Sequence, residues 1–122
     1  MATTTVTISN PIGGKRYTDT EVTNSAVNAV SGSSTIFHIE FDNTANATVV
    51  YLKIYEATSV TLGTTEPSII VKAAASTKEY VSIPMGLALG TGISYVATRT
   101  ASNATGSPAA PAATCGLTFV YN

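Results

Sequence analysis

The sequence contains few charged side chains. There are six Lys and Arg and seven Asp and Glu among 122 residues, which gives a net charge of -1. A protein that binds a nucleic-acid backbone concentrates Lys and Arg on one surface, and this chain has no such cluster. We therefore expect no nucleic-acid binding. Because surfaces that face water normally carry more charge, the mean hydropathy of +0.25 also favours a chain partly covered by other chains.

The residue types that build catalytic and metal sites are also rare. The chain has one His, one Cys and no Trp, so an internal disulfide is excluded. A zinc site takes three or four ligands, and His38 has only Glu40 nearby in sequence, which we interpret as a surface pair. We expect Cys115 to be a small buried core thiol. The sequence therefore predicts no metal, no cofactor and no enzyme activity.

Long apolar runs are absent as well. No stretch approaches the roughly 18 to 20 apolar residues of a membrane-spanning helix, so we expect no membrane association. Residues 1–8 lack the basic start and apolar run of a secretory signal, and we expect synthesis in the cytoplasm.

What the chain does contain is alternation of apolar and polar residues. Residues 36–41 place Phe37, Ile39 and Phe41 on one face, because successive side chains of a strand point to opposite sides. Residues 48–55 alternate in the same way, and a polar stretch separates the two runs. This pattern predicts a β-hairpin.

Further short segments suggest strands separated by loops. We predict strands at residues 3–8, 68–72, 78–83, 93–98 and 116–121. Residues 21–30 are a short strand or an irregular arm. The other segments are predicted to be loops: a solvated loop at 15–20, a packed glycine-containing loop at 85–92, and an extended or mobile low-complexity loop at 100–114.

Seven or eight short strands without a convincing helix predict an all-β fold, an antiparallel β-sandwich. An immunoglobulin-like and a jelly-roll strand order remain equally open, although the paired cysteines and Trp of immunoglobulin domains are missing. We expect one domain, with an amino-terminal arm and edge-strand region at residues 1–34 and the sandwich core at residues 35–122.

Two groups of residues are candidates for an interface. Tyr51, Lys53 and Tyr55 lie on the face of their predicted strand that points away from the core, and Tyr is enriched at interfaces. The alternative is that this face forms a second core. The second group, which could instead be part of a solvated loop, is Lys15, Arg16 and Tyr17.

Four segments carry a family resemblance: YLKIY at 51–55, GTTEP at 63–67, IPMGLAL at 83–89 and GISYVAT at 92–98. Residues 37–122 resemble a family of small β-rich virion proteins encoded by tailed bacteriophages. The shared positions are strand faces, turns and a proline stop, and none is catalytic.

The resemblance implies a structural role in the virion. We expect a capsid decoration or cement protein on the outside of the phage head, a homo-oligomer bound to the major capsid protein or other virion proteins. A tail, neck or baseplate component is the alternative within the same particle. A third hypothesis is a host-surface glycan-binding module that uses the face of Tyr51, Lys53 and Tyr55.

Overall fold

Nine strands and no helix make up the secondary structure of the residues that the computed structural model describes, which are 2–7, 14–101 and 109–122. The strands are β1 (Thr3–Thr7), β2 (Lys15–Val22), β3 (Val27–Ser31), β4 (Ser34–Asp42), β5 (Val50–Tyr55), β6 (Ile69–Ala73), β7 (Lys78–Leu89), β8 (Gly92–Thr98) and β9 (Cys115–Tyr121). They form two antiparallel sheets, which confirms the predicted all-β sandwich, with one or two more strands than the sequence suggested.

The strand order is that of a jelly roll. One sheet has the order β1-β2-β9-β4-β7 and the other β3-β8-β5-β6. The pairs β2–β9, β3–β8, β4–β7 and β5–β6 are those of a single long hairpin that reverses between β5 and β6. Wrapping that hairpin around a core brings β9 beside β4 and β8 beside β5, which is the double Greek-key order of jelly rolls. Of the two orders left open by the sequence, the structure has this one.

The core lies between the two sheets and is built by alternation. Along β9, Cys115, Leu117, Phe119 and Tyr121 are buried, and the residues between them are partly exposed. The ring of Tyr17 on β2 stacks on Phe119 with the ring centres 5.0 Å apart. Fully burying one such large side chain stabilises the fold by about 1.5 to 3 kcal/mol, so the inward faces provide the main driving force for folding.

The predicted hairpin between residues 36 and 55 is wrong. Strand β4 belongs to the five-stranded sheet and β5 to the four-stranded sheet, so residues 43–49 cross from one sheet to the other. Two buried asparagines fix this crossover. Asn43 Nδ2 donates to the carbonyls of Thr48, Ala73 and Ala74, and Asn46 Nδ2 donates to the carbonyl of Ala113. The polar residues 43–49 would favour a tight turn, but in this fold they form the connection between the two sheets.

Residues near the amino terminus form part of the sandwich. Residues 15–20, predicted to be a solvated loop, begin β2, which pairs with both β1 and β9. Strand β3 pairs with β8 in the other sheet. Residues 15–31 therefore contribute to both sheets, within the region 1–34 that the sequence predicted to be an amino-terminal arm and edge-strand region. Asp19 occupies an inward position of β2, and because it is a charged residue, the alternation of apolar and polar residues in this strand is not evident from the sequence.

Strand β7 extends to Leu89 and so includes the first part of the segment predicted to be a packed loop at residues 85–92, while Gly90 and Thr91 link it to β8. Ser82 lies opposite His38 and Leu87 lies opposite Ile36, so the four residues 83–86 of β7 face the single residue Phe37 of β4. Such an excess on one strand is a bulge, and it accommodates a proline and a glycine inside a strand.

The two ends of the chain follow the sequence predictions. Strand β1 is an edge strand, as predicted, and β9 is fixed between β2 and β4. Of the predicted loop at residues 100–114, residues 102–108 lie outside the described residues. After them, the carbonyl of Ala109 accepts a hydrogen bond from the backbone N–H of Arg99 at 2.9 Å.

Candidate interaction surface

The first predicted interface group, Tyr51, Lys53 and Tyr55, is largely covered. These residues share the side of β5 that points away from the core, as predicted, but Lys53 is 1% exposed and Tyr55 is 0% exposed. Ser94, which pairs with Tyr55, donates through Oγ to the carbonyl of Ala57 at 2.6 Å. The chain that follows β5 thus turns back over this side of the sheet. Lys53 and Tyr55 are therefore covered, as the alternative of a second core face predicts, whereas Tyr51 is half-buried.

Burial changes the chemistry of this group. It raises the pKa of the Tyr55 hydroxyl, with a further contribution from the negative charge of Glu66, and it lowers the pKa of the Lys53 ammonium. The Tyr55 hydroxyl has no hydrogen-bond partner among the described residues. Neither side chain is available to stack on a sugar ring or to bind an incoming molecule.

The second predicted group is divided among three environments by the alternation of β2. Arg16 is exposed on the outside of the five-stranded sheet, and Tyr17 is 5% exposed in the core. Lys15 lies at the start of the strand with Nζ 5.7 Å from the ring centre of Tyr121. The structure does not bring these three side chains together into one site.

The five-stranded sheet has one side that faces away from the core, which we call the outer face. Directly paired residues of neighbouring strands point to the same side, so the strand register aligns the outer side chains in rows. The rows run across the sheet: Val6, Arg16, Val120, His38 and Ser82; then Thr4, Thr18, Thr118, Glu40 and Tyr80; then Gly116, Asp42 and Lys78. Five strands at about 4.8 Å spacing make this face about 19 Å wide.

Charged groups cluster on the β4–β7 half of the outer face. Lys78 Nζ lies 3.4 Å from Glu40 Oε1 and 3.8 Å from Asp42 Oδ2. Asp42 Oδ1 also accepts hydrogen bonds from the side chain and the backbone of Thr44. The side-chain bond from Thr44, and to a smaller extent the charge of Lys78, lower the pKa of Asp42 below its ordinary value. Two carboxylates thus share one ammonium group.

His38 and Glu40, predicted to be a surface pair, have separate partners on β7. His38 Nδ1 lies 3.3 Å from Ser82 Oγ, and its ring lies 6.4 Å from the ring of Tyr80. A nucleophilic serine needs a carboxylate to orient the histidine and donors for an oxyanion. Within the described part of the chain, Ser82 is the side-chain hydrogen-bond partner of His38, so this pair lacks the rest of that arrangement.

One apolar side chain projects from the bulge of β7. Met85 is 93% exposed, the most exposed of the large apolar residues in the described chain. Its neighbour Gly86 has a φ of +77° and lies against the side chains of Thr35 and Phe37 on β4. The bulge is therefore packed onto the sheet, and Met85 stands out from a fixed support. Met85 is not among the candidate residues predicted from the sequence, although Pro84 and Gly86 within an alternating run indicate a bulge.

The described residues include an open groove with a volume of about 380 Å³. It lies beside the β2–β3 connection and is lined by Glu21, Thr23, Ser25, Val27 and Thr114.

No group of three or more metal-binding side chains occurs in the described ranges. No helix there is long and apolar enough to cross a bilayer.

Cys115 is buried beside the asparagines of the crossover, as predicted for a core thiol. Its Sγ lies 3.4 Å from Asn46 Nδ2 and 3.7 Å from Asn43 Oδ1. Burial, and secondarily the charge of Asp42, raise the pKa of the thiol to about 11. A thiol that stays protonated at neutral pH is a poor nucleophile, so its environment is that of a packing residue.

Comparison with known proteins identified no relative: no protein-family model, no curated protein and no solved structure matches this chain.

Proposed function

We propose that this chain is a structural protein of a tailed-bacteriophage virion, and within the virion a decoration or cement protein of the head. The resemblance of residues 37–122 to small virion proteins suggests this role. The jelly-roll order supports it as a fold used by many viral capsid domains, although the same fold also serves lectins. The proposal includes no catalytic activity and no cofactor.

The observation that carries the proposal is the apolar projection of Met85. An exposed, flexible thioether on a rigid support can fill an irregular pocket on a partner, and Met is common at adaptable protein contacts. The support is rigid because Gly86 packs against Thr35 and Phe37, so the backbone beneath Met85 loses little conformational freedom on binding. We propose that Met85 enters a pocket on the major capsid protein.

The mechanism of such a protein is mass action. A molecule that binds the assembled shell and not the separated subunits stabilises the shell by its binding free energy. At a free concentration of about 100 times the dissociation constant, each occupied site adds about 2.7 kcal/mol. Many sites repeated over a shell add up to a large stabilisation of the particle.

The tail, neck or baseplate hypothesis shares the same anchor and differs in the partner and its symmetry. The glycan-binding hypothesis has less support, because the face that it requires is covered at Lys53 and Tyr55.

Electron cryomicroscopy of the virion that contains this chain distinguishes the head role from the tail, neck or baseplate role. We expect density for the sandwich to repeat over the head lattice. Density confined to the tail axis would contradict the head assignment.

The anchor itself can be tested by rebinding. Purified chain is added to heads that lack it, and occupancy is measured by co-sedimentation. We expect Met85→Asp to weaken binding at least tenfold, since a carboxylate in an apolar pocket has no partner. Ile70→Asp is the matched control, because Ile70 is also an exposed apolar residue, 42% exposed on the other sheet. Equal binding by both variants would exclude Met85 as the anchor.

A further inference from the structure

We infer that two copies of this chain associate back to back through the outer face of the five-stranded sheet. The geometry places the two-fold axis parallel to the central strand β9, so that each copy presents the same surface to the other. This inference is independent of the proposed function, because it concerns contacts between copies of the chain and not contacts with a shell. Four features of the outer face carry it.

The first feature is the flat centre of the face. The outward residues of β9 are Gly116, Thr118 and Val120, which are small, and they are flanked by β2 and β4 on either side. Two sheets packed face to face lie about 10 Å apart, and short side chains along the middle strand allow that approach. A row of long side chains on β9 would hold the copies apart.

The second feature is an unequal distribution of charge about β9. Arg16 lies on β2, one strand to one side, and it forms no ion pair with another described residue. Glu40 and Asp42 lie on β4, one strand to the other side, where they share the single ammonium of Lys78. In the first two rows of the face, the side with β2 therefore carries one positive charge, that of Arg16, and the side with β4 carries one negative charge, that of Glu40.

The proposed symmetry matches these charges. Rotation by 180° about an axis along β9 places β2 of each copy over β4 of the other. Arg16 is paired with Val120, and Val120 is paired with His38, so Arg16 arrives over His38 and beside Glu40 of the second copy. The long guanidinium side chain then reaches the carboxylate. The contact occurs twice, once on each side of the axis.

The third and fourth features are the apolar side chains at the margins of the face. The same rotation places β1 over β7, which brings Val6 of one copy near Tyr80 of the other. Val6 is 39% exposed and Tyr80 is 58% exposed in the single chain. In the dimer, the second copy thus covers the exposed apolar side chains at both margins of the face as well as the charged groups nearer its centre.

The size of the face indicates a reversible dimer. Five strands and three rows cover about 19 Å by roughly 17 Å, which is about 320 Å² of sheet on each copy and about 650 Å² for the two copies. This is below the roughly 1,200 Å² of stable specific interfaces and in the range of weak, transient contacts, where dissociation constants are commonly micromolar or weaker. We expect monomer and dimer to exchange in the range of about 10 to 500 µM.

Sedimentation equilibrium of the purified chain over that range, at low salt, tests the inference. We expect a monomer–dimer equilibrium, with Arg16→Glu and Glu40→Arg each weakening dimerisation at least tenfold. The double variant R16E/E40R restores opposite charges across the axis and is expected to return within about threefold of the original. Lys72→Glu is the matched control, since it makes the same charge change at an exposed position of the other sheet, and it should leave dimerisation unchanged.

Several outcomes would overturn the inference. A chain that stays monomeric throughout the range has no such interface. A dimer that tolerates Arg16→Glu, or a double variant no better than the single ones, places the contact elsewhere. Trimers or larger rings would exclude the two-fold geometry. Circular dichroism of each variant confirms that these surface changes leave the sandwich folded.

Discussion

The hydroxyl of Tyr95 on β8 donates a hydrogen bond to Asp19 Oδ2 on β2 at 2.5 Å, across the core between the two sheets. The carboxylate is 0% exposed, and its other oxygen accepts the backbone N–H of Glu21 at 2.9 Å. The Tyr17 hydroxyl lies 2.9 Å from that of Tyr95. Burial, and next the hydrogen bond to Asp19, raise the pKa of Tyr95 far above its ordinary value. The hydroxyl is therefore a permanent donor, and it satisfies a buried carboxylate.

Tyr95→Phe should destabilise the fold by about 1 to 3 kcal/mol, because it leaves a buried acceptor without its donor. The loss should appear as a lower midpoint of urea unfolding with an unchanged slope.

Tyr55→Phe provides the matched control, since it removes the hydroxyl of another fully buried tyrosine. That hydroxyl has no partner among the described residues. Its removal should leave stability unchanged or raise it, because a buried hydroxyl without a hydrogen bond is unfavourable. Equal losses in the two variants would show that the bond to Asp19 contributes nothing specific.

Asn43→Ala should destabilise the fold by about 2 kcal/mol or more. The change removes the donor for three carbonyls that belong to the crossover and to the β6–β7 turn, and buried carbonyls without partners are costly. Thr48→Ala, at an exposed neighbouring position, should change stability by less than about 0.5 kcal/mol. Thermal unfolding followed by circular dichroism measures both, and a small loss for Asn43→Ala would argue against its anchoring role.

Gly86→Ala and Gly32→Ala separate a steric clash from backbone strain. Both glycines have positive φ, +77° and +96°, where an added Cβ is unfavourable by about 1 kcal/mol. A Cβ at Gly32 meets no atom within 4 Å, whereas one at Gly86 collides with the side chains of Thr35 and Phe37. We expect Gly86→Ala to cost at least about 1 kcal/mol more than Gly32→Ala in denaturant unfolding. Similar costs would mean that the bulge shifts easily and does not hold Met85 in place.

Cys115 should make stability depend on pH in the alkaline range. Its pKa is raised from 9.0 to about 11 in the folded chain, so folding favours the protonated thiol. That contribution is fully present below pH 9 and is lost as the pH rises through about 11, amounting to roughly 2 to 3 kcal/mol. Buried tyrosines titrate in the same direction, and a variant is therefore needed to isolate the thiol.

Cys115→Ala supplies that comparison. The difference in unfolding free energy between the original chain and the variant should be constant from pH 7 to about 9 and should then shrink towards pH 11. Urea unfolding at each pH gives the difference. A constant difference across the whole range would mean that the thiol has the same pKa in both states.

The alternation of apolar residues was sufficient to predict most strands and the sandwich architecture. It predicted the inward faces of β5 and β9, because a strand has a period of two wherever it is paired. On β4 it correctly placed Ile39 and Phe41 inward, but a register shift at Phe37 leaves that side chain half-buried and puts Ile36 in the core instead. It failed at β2, where Asp19 takes an inward position, and at β7, where a bulge interrupts the period. In both places, contacts with distant residues compensate for a local pattern that argues against a strand.

Periodicity gives the two sides of a strand but carries no information about its neighbours. It could not show that β4 and β5 belong to different sheets, since strand partners in a jelly roll are distant in sequence. It also could not show that the chain after β5 covers Lys53 and Tyr55.

The sequence by itself determined the all-β class, most of the strands and the scarcity of catalytic groups, because these follow from composition and from the period of each strand. The tertiary structure decided the jelly-roll order, the burial of Asp19 beside Tyr95 and the alignment of Arg16, Val120 and His38 across one outer face. These depend on pairing between residues far apart in the chain, whose free energy is gained only when both sheets have formed.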